Sequence, residues 1–108
     1  MTRGDIVLVR EPKSPASKAR PSLIVQRTST LKASSKITLC PITSTLKGGT
    51  GRRPFVAPSP ENGLLEPSEV QVDWIFSFFR ESVGRVIGRL DDVTMREVDA
   101  ALRRWLDL

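Results

Sequence analysis

No histidine occurs anywhere in the 108 residues, and that one gap removes several mechanisms. Without imidazole there is no His–His acid/base pair, no Ser–His or Cys–His nucleophile and no His-ligated metal. Any chemistry must run on carboxylates, arginine, lysine or hydroxyls. Cysteine is nearly absent too. Cys40 stands alone, which excludes an internal disulfide and a cysteine-based zinc site. A long apolar run is also missing. The opening MTRGDIVLVR does not suit a signal peptide, and no segment is long and apolar enough to span a bilayer. The expected location is the cytoplasm, with no membrane contact.

Acidic residues are scarce in one half only. Residues 1–53 carry eleven Lys/Arg against Asp5 and Glu11, a balance of +9. Residues 54–108 carry six Arg against ten carboxylates, a balance of −4. A half that basic attracts a polyanion, either nucleic acid or an acidic protein segment; a merely solvated surface is the plainer alternative. The length suits one compact domain over residues 1–108 with its own core.

What is present is a series of short apolar runs. Asp5–Arg10 (DIVLVR), SLIVQ after Pro21, Lys36–Pro41 (KITLCP), Pro54–Ala57 and Ser68–Val72 (SEVQV) read as strands. Trp74–Phe79 and Arg85–Leu90 follow as further extended segments, while Thr28–Ser35 reads as a polar turn. Near the end the period changes. Met95, Val98, Leu102 and Trp105 fall on one helical stripe, with Asp91 or Asp92 as N-cap and Thr94/Glu97 as an alternative capping box. Strands followed by a single helix, without βαβ alternation, predict a mainly β (α+β) fold: a small, strongly bent antiparallel sheet or SH3-like barrel with a C-terminal helix.

The segments RGDIVLV, KARPSLIV, LCPITST, GLLEPSEVQVDWI and VIGRLDDVTMREVDAALRRWL occur in that order and span nearly the whole chain. In this arrangement the sequence resembles the MazF/PemK/Kid family of bacterial toxins. That resemblance implies a CcdB/MazF-like barrel, a homodimer, and a cognate acidic MazE-like antitoxin lying across the dimer. It also implies a metal-independent endoribonuclease that needs no cofactor and cuts single-stranded mRNA at short sequences. Such cleavage uses the RNA's own 2′-hydroxyl and leaves a 2′,3′-cyclic phosphate and a 5′-hydroxyl, blocking translation and growth.

The same resemblance nominates residues. Arg20, in the RP motif, aligns with an arginine treated as catalytic; read from position alone it is equally a strand-end charge. Its planar fork suits phosphate oxygens, and a guanidinium's reluctance to release a proton favours charge stabilisation over proton transfer. Thr43 aligns with an active-site threonine and Ser44 sits beside it, although TST also reads as a turn that caps its own backbone. Asp73 matches an aspartate some relatives use as a base or RNA contact. A strand-end carboxylate beside Trp74 would suit that role with a raised pKa; the plainer reading is an ion-pair partner for an arginine.

Lys13, Lys18, Lys47, Arg52 and Arg53 are candidate phosphate contacts, and Gln71 is a further candidate RNA contact. One branch of the family has a catalytic arginine where this chain has Gln71, and a first-loop histidine that this chain lacks. Arg20 and Thr43 must therefore carry more of the work. Trp74, Phe76, Phe78 and Phe79 read as core or interface rather than base-stacking groups. Two alternatives remain: a CcdB-like gyrase poison, against which the ending WLDL speaks, and an inactive RNA-binding barrel.

Overall fold

The computed structural model describes residues 1–10, 18–48 and 52–108; Lys13 lies outside them. Seven strands form one curled antiparallel sheet: β1 (Asp5–Val9), β2 (Arg20–Ile24), β3 (Lys36–Thr43), β4 (Phe55–Val56), β5 (Ser68–Val70), β6 (Phe76–Phe79) and β7 (Val83–Arg89). A single helical turn, α1 (Thr28–Leu31), follows β2, and α2 (Asp92–Leu106) closes the chain. The order along the sheet is β4-β5-β3-β2-β1-β7, with β6 also on β3. The fold expected from the strand-then-helix pattern is present as a half-barrel.

Period-2 alternation explains why the sheet has two dry faces. Ile6, Leu23, Cys40, Ile42 and Val70 point to the face covered by α2 through Met95, Val98, Ala101 and Leu102. Their strand neighbours Val7, Ile24 and Leu39 point the other way, with Val9, Ile37, Leu31, Phe76 and Phe78. Burial pushes the Cys40 thiol up to about 12, so it behaves as a small apolar side chain.

Strand β3 organises the sheet. One edge pairs with β2 (Ser22 with Pro41, Leu23 with Cys40). The other edge is shared end to end, by β6 over Lys36–Leu39 and by β5 over Ile42–Thr43. Between these two partners lies a 3-10 turn, Val72–Trp74, fastened by the Gln71 amide donating to the Pro41 carbonyl at 2.8 Å. A strand residue's N–H and C=O point to the same edge, so Pro41 lacks its donor only where β6 and β5 part. The β2 ladder is untouched, and proline is tolerated mid-strand.

Several sequence expectations need correction. Thr28–Ser35 contains α1, whose buried Leu31 fills the second core; four residues are too few for a period to register. The SEVQV strand stops at Val70, because the chain turns at Gln71 to pass between β5 and β6. The buried stripe of α2 ends at Leu102 and includes Ala101, whereas Trp105 is 51% exposed because the last turn lies outside the packed core. Of the proposed caps, Asp91 is used: its carboxylate accepts from the Thr94 amide at 2.7 Å.

Candidate active site

Arg20 opens β2, with its side chain on the same face as Ser22 and Ile24. It pairs with Val9 of β1, so it stands where the second core meets solvent. A cleft of about 570 Å³ lies there. Ser22, Pro41, Val9, Phe76 and Phe78 make its largely apolar floor and sides, while Lys18, Arg20, Gln71 and Trp74 contribute the polar and exposed groups. Among the described residues the lining holds two cations and no carboxylate. Among the described residues no hydrogen bond or ion pair engages the Arg20 guanidinium, and the side chain is exposed. A fork of donors held at an apolar cleft without its own counterion is arranged to receive an anion.

The other nominated residues divide. Lys18 and Gln71 join Arg20 in the cleft. Thr43 does not line it, but the β2–β3 register, continued two residues past Ser22 and Pro41, brings Thr43 opposite Arg20. Its Oγ1 accepts from the Thr45 amide at 3.1 Å, so the turn-capping reading holds. The hydroxyl proton remains available for donation. Ser44 beside it is exposed, as are Lys47 and Arg52.

Asp73 departs from the expectation of a raised pKa. Arg53 Nε and Nη2 donate to its two carboxylate oxygens, each at 2.9 Å. Those bonds outweigh burial and hold the carboxyl below its usual range, while the same contact raises Arg53. The plainer reading, an ion pair with an arginine, is the one realised. Asp73 and Arg53 occupy each other outside the cleft lining.

Sequence reasoning passed over Ser22 and Pro41. Ser22 was legible in principle, being two residues from Arg20 on one strand and so on its face. Trp74, read from its place among aromatics at strand spacing as core or interface, is not core: it is 63% exposed because it ends the 3-10 turn instead of entering a strand. Among the described residues no cluster of three or more His, Cys, Asp or Glu could hold a metal ion, and no helix is long and apolar enough to cross a membrane.

Comparison with known proteins agrees with this geometry. Residues 2–106 match the family model of the PemK-like, MazF-like toxins of type II toxin-antitoxin systems. A probable endoribonuclease MazF of Mycolicibacterium smegmatis is 30% identical over 108 residues, covering 100% of this chain and 98% of the relative. The Mycobacterium tuberculosis toxin MazF-mt6 superposes with a TM-score of 0.81 at 29% identity, over 96% of this chain and 97% of its own. A mycobacterial endoribonuclease solved with its cognate antitoxin shares the fold at a TM-score of 0.79 and 22% identity, over 100% of this chain and 96% of its own. Matched over residues 2–106 and over nearly the full length of its relative, this chain belongs to the PemK-like, MazF-like toxin family.

Proposed function

We propose that this toxin-family endoribonuclease cuts single-stranded RNA in the Arg20 cleft, using the RNA's 2′-hydroxyl as the nucleophile. The observation that carries the reading is the Arg20 guanidinium, unpaired among the described residues, in a cleft whose described lining bears cations and no carboxylate. In the reaction the 2′ oxygen bonds to phosphorus and the bond from phosphorus to the 5′ oxygen breaks. The products are a 2′,3′-cyclic phosphate and a 5′-hydroxyl. Arg20 binds the non-bridging oxygens as their charge builds, a task for which a fixed cation is suited. The Thr43 hydroxyl, still holding its proton, donates to the same phosphate, with Ser44 beside it.

Asp73, ionised and held by Arg53, is a poor base, so the 2′ proton passes to water and water returns one to the 5′ oxygen. Lys18 and Gln71 hold the flanking nucleotide, and Trp74 offers a face on which a base stacks. Lys47 and Arg52, both exposed, track the backbone farther out. We infer also a homodimer and an acidic, MazE-like antitoxin segment that meets the same cations; structural relatives solved with their cognate antitoxins support that partner.

Purified protein mixed with defined RNAs in EDTA should yield fragments with 5′-hydroxyl ends, and Arg20→Ala should abolish them. RNA left intact at every sequence by folded protein would overturn the reading. Co-expression with a small acidic protein encoded beside it should suppress cleavage.

A further inference from the structure

Glu69 is a carboxylate almost wholly withdrawn from water, 4% exposed in the middle of β5. Across the ladder it faces Thr43 on one side and Phe55 on the other. No salt bridge to it is formed by Arg53, which pairs with Asp73 while still feeling the charge of Glu69. Instead its two oxygens accept from two successive backbone amides, Lys47 and Gly48, both at 3.0 Å. Gly48 has φ +72, a conformation that side-chain-bearing residues seldom adopt, and it turns that amide inward. Successive amides converging in this way form the cradle that proteins use for anions. Here the protein supplies the anion itself.

The return leg is fastened by the other engaged carboxylate. Arg53 grips Asp73 with both prongs, and Asp73 lies within the turn whose Gln71 and Trp74 line the cleft. The segment Thr43–Gly48 is thus tied at Thr43 and at Lys47–Gly48, and the chain re-enters at Arg53 tied to the cleft wall. Neither Glu69 nor Asp73 lines the cleft. Both already accept from donors of the protein itself, the Lys47 and Gly48 amides and the Arg53 guanidinium.

We propose that Glu69 is a positioning residue, acting with the Arg53–Asp73 pair: it fixes the course of the Thr43–Gly48 segment, which leaves β3 opposite Arg20 and carries Ser44 and Lys47. It thereby sets which RNA sequences are accepted, without taking part in bond breaking. The inference rests on the RNA-cleaving reading above.

The test pairs two measurements on the full chain. Amide hydrogen exchange by NMR should show Lys47 and Gly48 protected in the wild type. In Glu69→Gln, whose side-chain amide presents one acceptor and one donor group, exchange there should quicken about tenfold or more. Amides of Leu39 and Ile42 should be unchanged. A randomised pool of 2′-O-methyl RNA, which cannot supply the nucleophile, should be bound by the wild type with a sequence preference. Glu69→Gln should flatten that preference about tenfold and raise KM more than it lowers kcat on cleavable RNA. Asp73→Asn, at a less buried position, should weaken the preference in the same direction and serves if Glu69→Gln does not fold.

Unprotected Lys47 and Gly48 amides in the wild type would overturn the inference. So would faster exchange with an unchanged preference, since that is what a purely structural role gives. If the wild type neither binds nor cuts RNA, the selectivity role falls with the nuclease reading. Protected amides would then show that the clamp itself exists.

Discussion

Arg53 and Asp73 meet fork to fork, Nε to Oδ1 and Nη2 to Oδ2, both at 2.9 Å. Each is thereby engaged before RNA arrives: the carboxylate as an acceptor, the guanidinium as a donor. What remains unpaired at the cleft is Arg20, and the first prediction concerns it.

Arg20→Ala should lower kcat/KM for RNA cleavage on the order of 10²–10³-fold, the usual consequence of removing a group that stabilises transition-state charge. Arg20→Lys should recover only part of this, because an ammonium lacks the planar fork. The side chain is exposed and forms no hydrogen bond or ion pair among the described residues, so stability should stay within about 0.5 kcal/mol of the wild type. Single-turnover kinetics and thermal unfolding together check both halves.

Trp74→Ala should raise KM with little change in stability, because the ring is 63% exposed. Loss of one base-stacking platform corresponds to about 1–3 kcal/mol. Titration of a fluorescent, non-cleavable RNA reads the effect directly. An unchanged KM would return Trp74 to the role of an interface residue.

The Asp73 carboxyl sits below the ordinary value of 3.8 when folded. Its contribution to stability is therefore complete above 3.8 and is lost as pH falls through the lower, folded value. Asp5 behaves alike: burial pushes it up, but bonds from Thr2 and Arg89 prevail. Neither group makes stability vary between about pH 5 and 8. Asp73→Asn should destabilise by about 1–2 kcal/mol at neutral pH, with the gap closing as the solution is taken below 3.8. Denaturant melts over a pH series measure this.

Gly88→Ala should be among the most damaging small substitutions. A Cβ there would lie 2.2 Å from the Asn62 carbonyl carbon and 2.4 Å from its oxygen, and Asn62 is held by its own bonds to Ser59, Ala57 and Leu64. With backbone on the far side, the strain has little room to relax, and a loss of about 3 kcal/mol is expected. Urea denaturation checks it.

Much of the fold was legible because alternation is local. Ile6 beside Val7, Leu23 beside Ile24 and Leu39 beside Cys40 already divide two faces, and the shift to Met95, Val98 and Leu102 announces the helix. What escaped depends on distant partners. Nothing near Asp73 in sequence says that Arg53, twenty residues earlier, will grip it. The switch of β3 from β6 to β5 at Pro41 likewise depends on where Gln71 arrives. Arg20 was visible from its motif; the cleft around it was not, since its walls come from β1, β2, β3 and β6.

The pairing of β1 with β7 bears on the order in which the sheet can be completed. Val9 meets Val83 and Asp5 meets Arg89, so the strand that flanks Arg20's strand keeps one bare edge until the last strand has been synthesised. Contacts of such long sequence separation form late. A nascent chain therefore carries Arg20 on an unfinished sheet until β7 has been made and docked on β1.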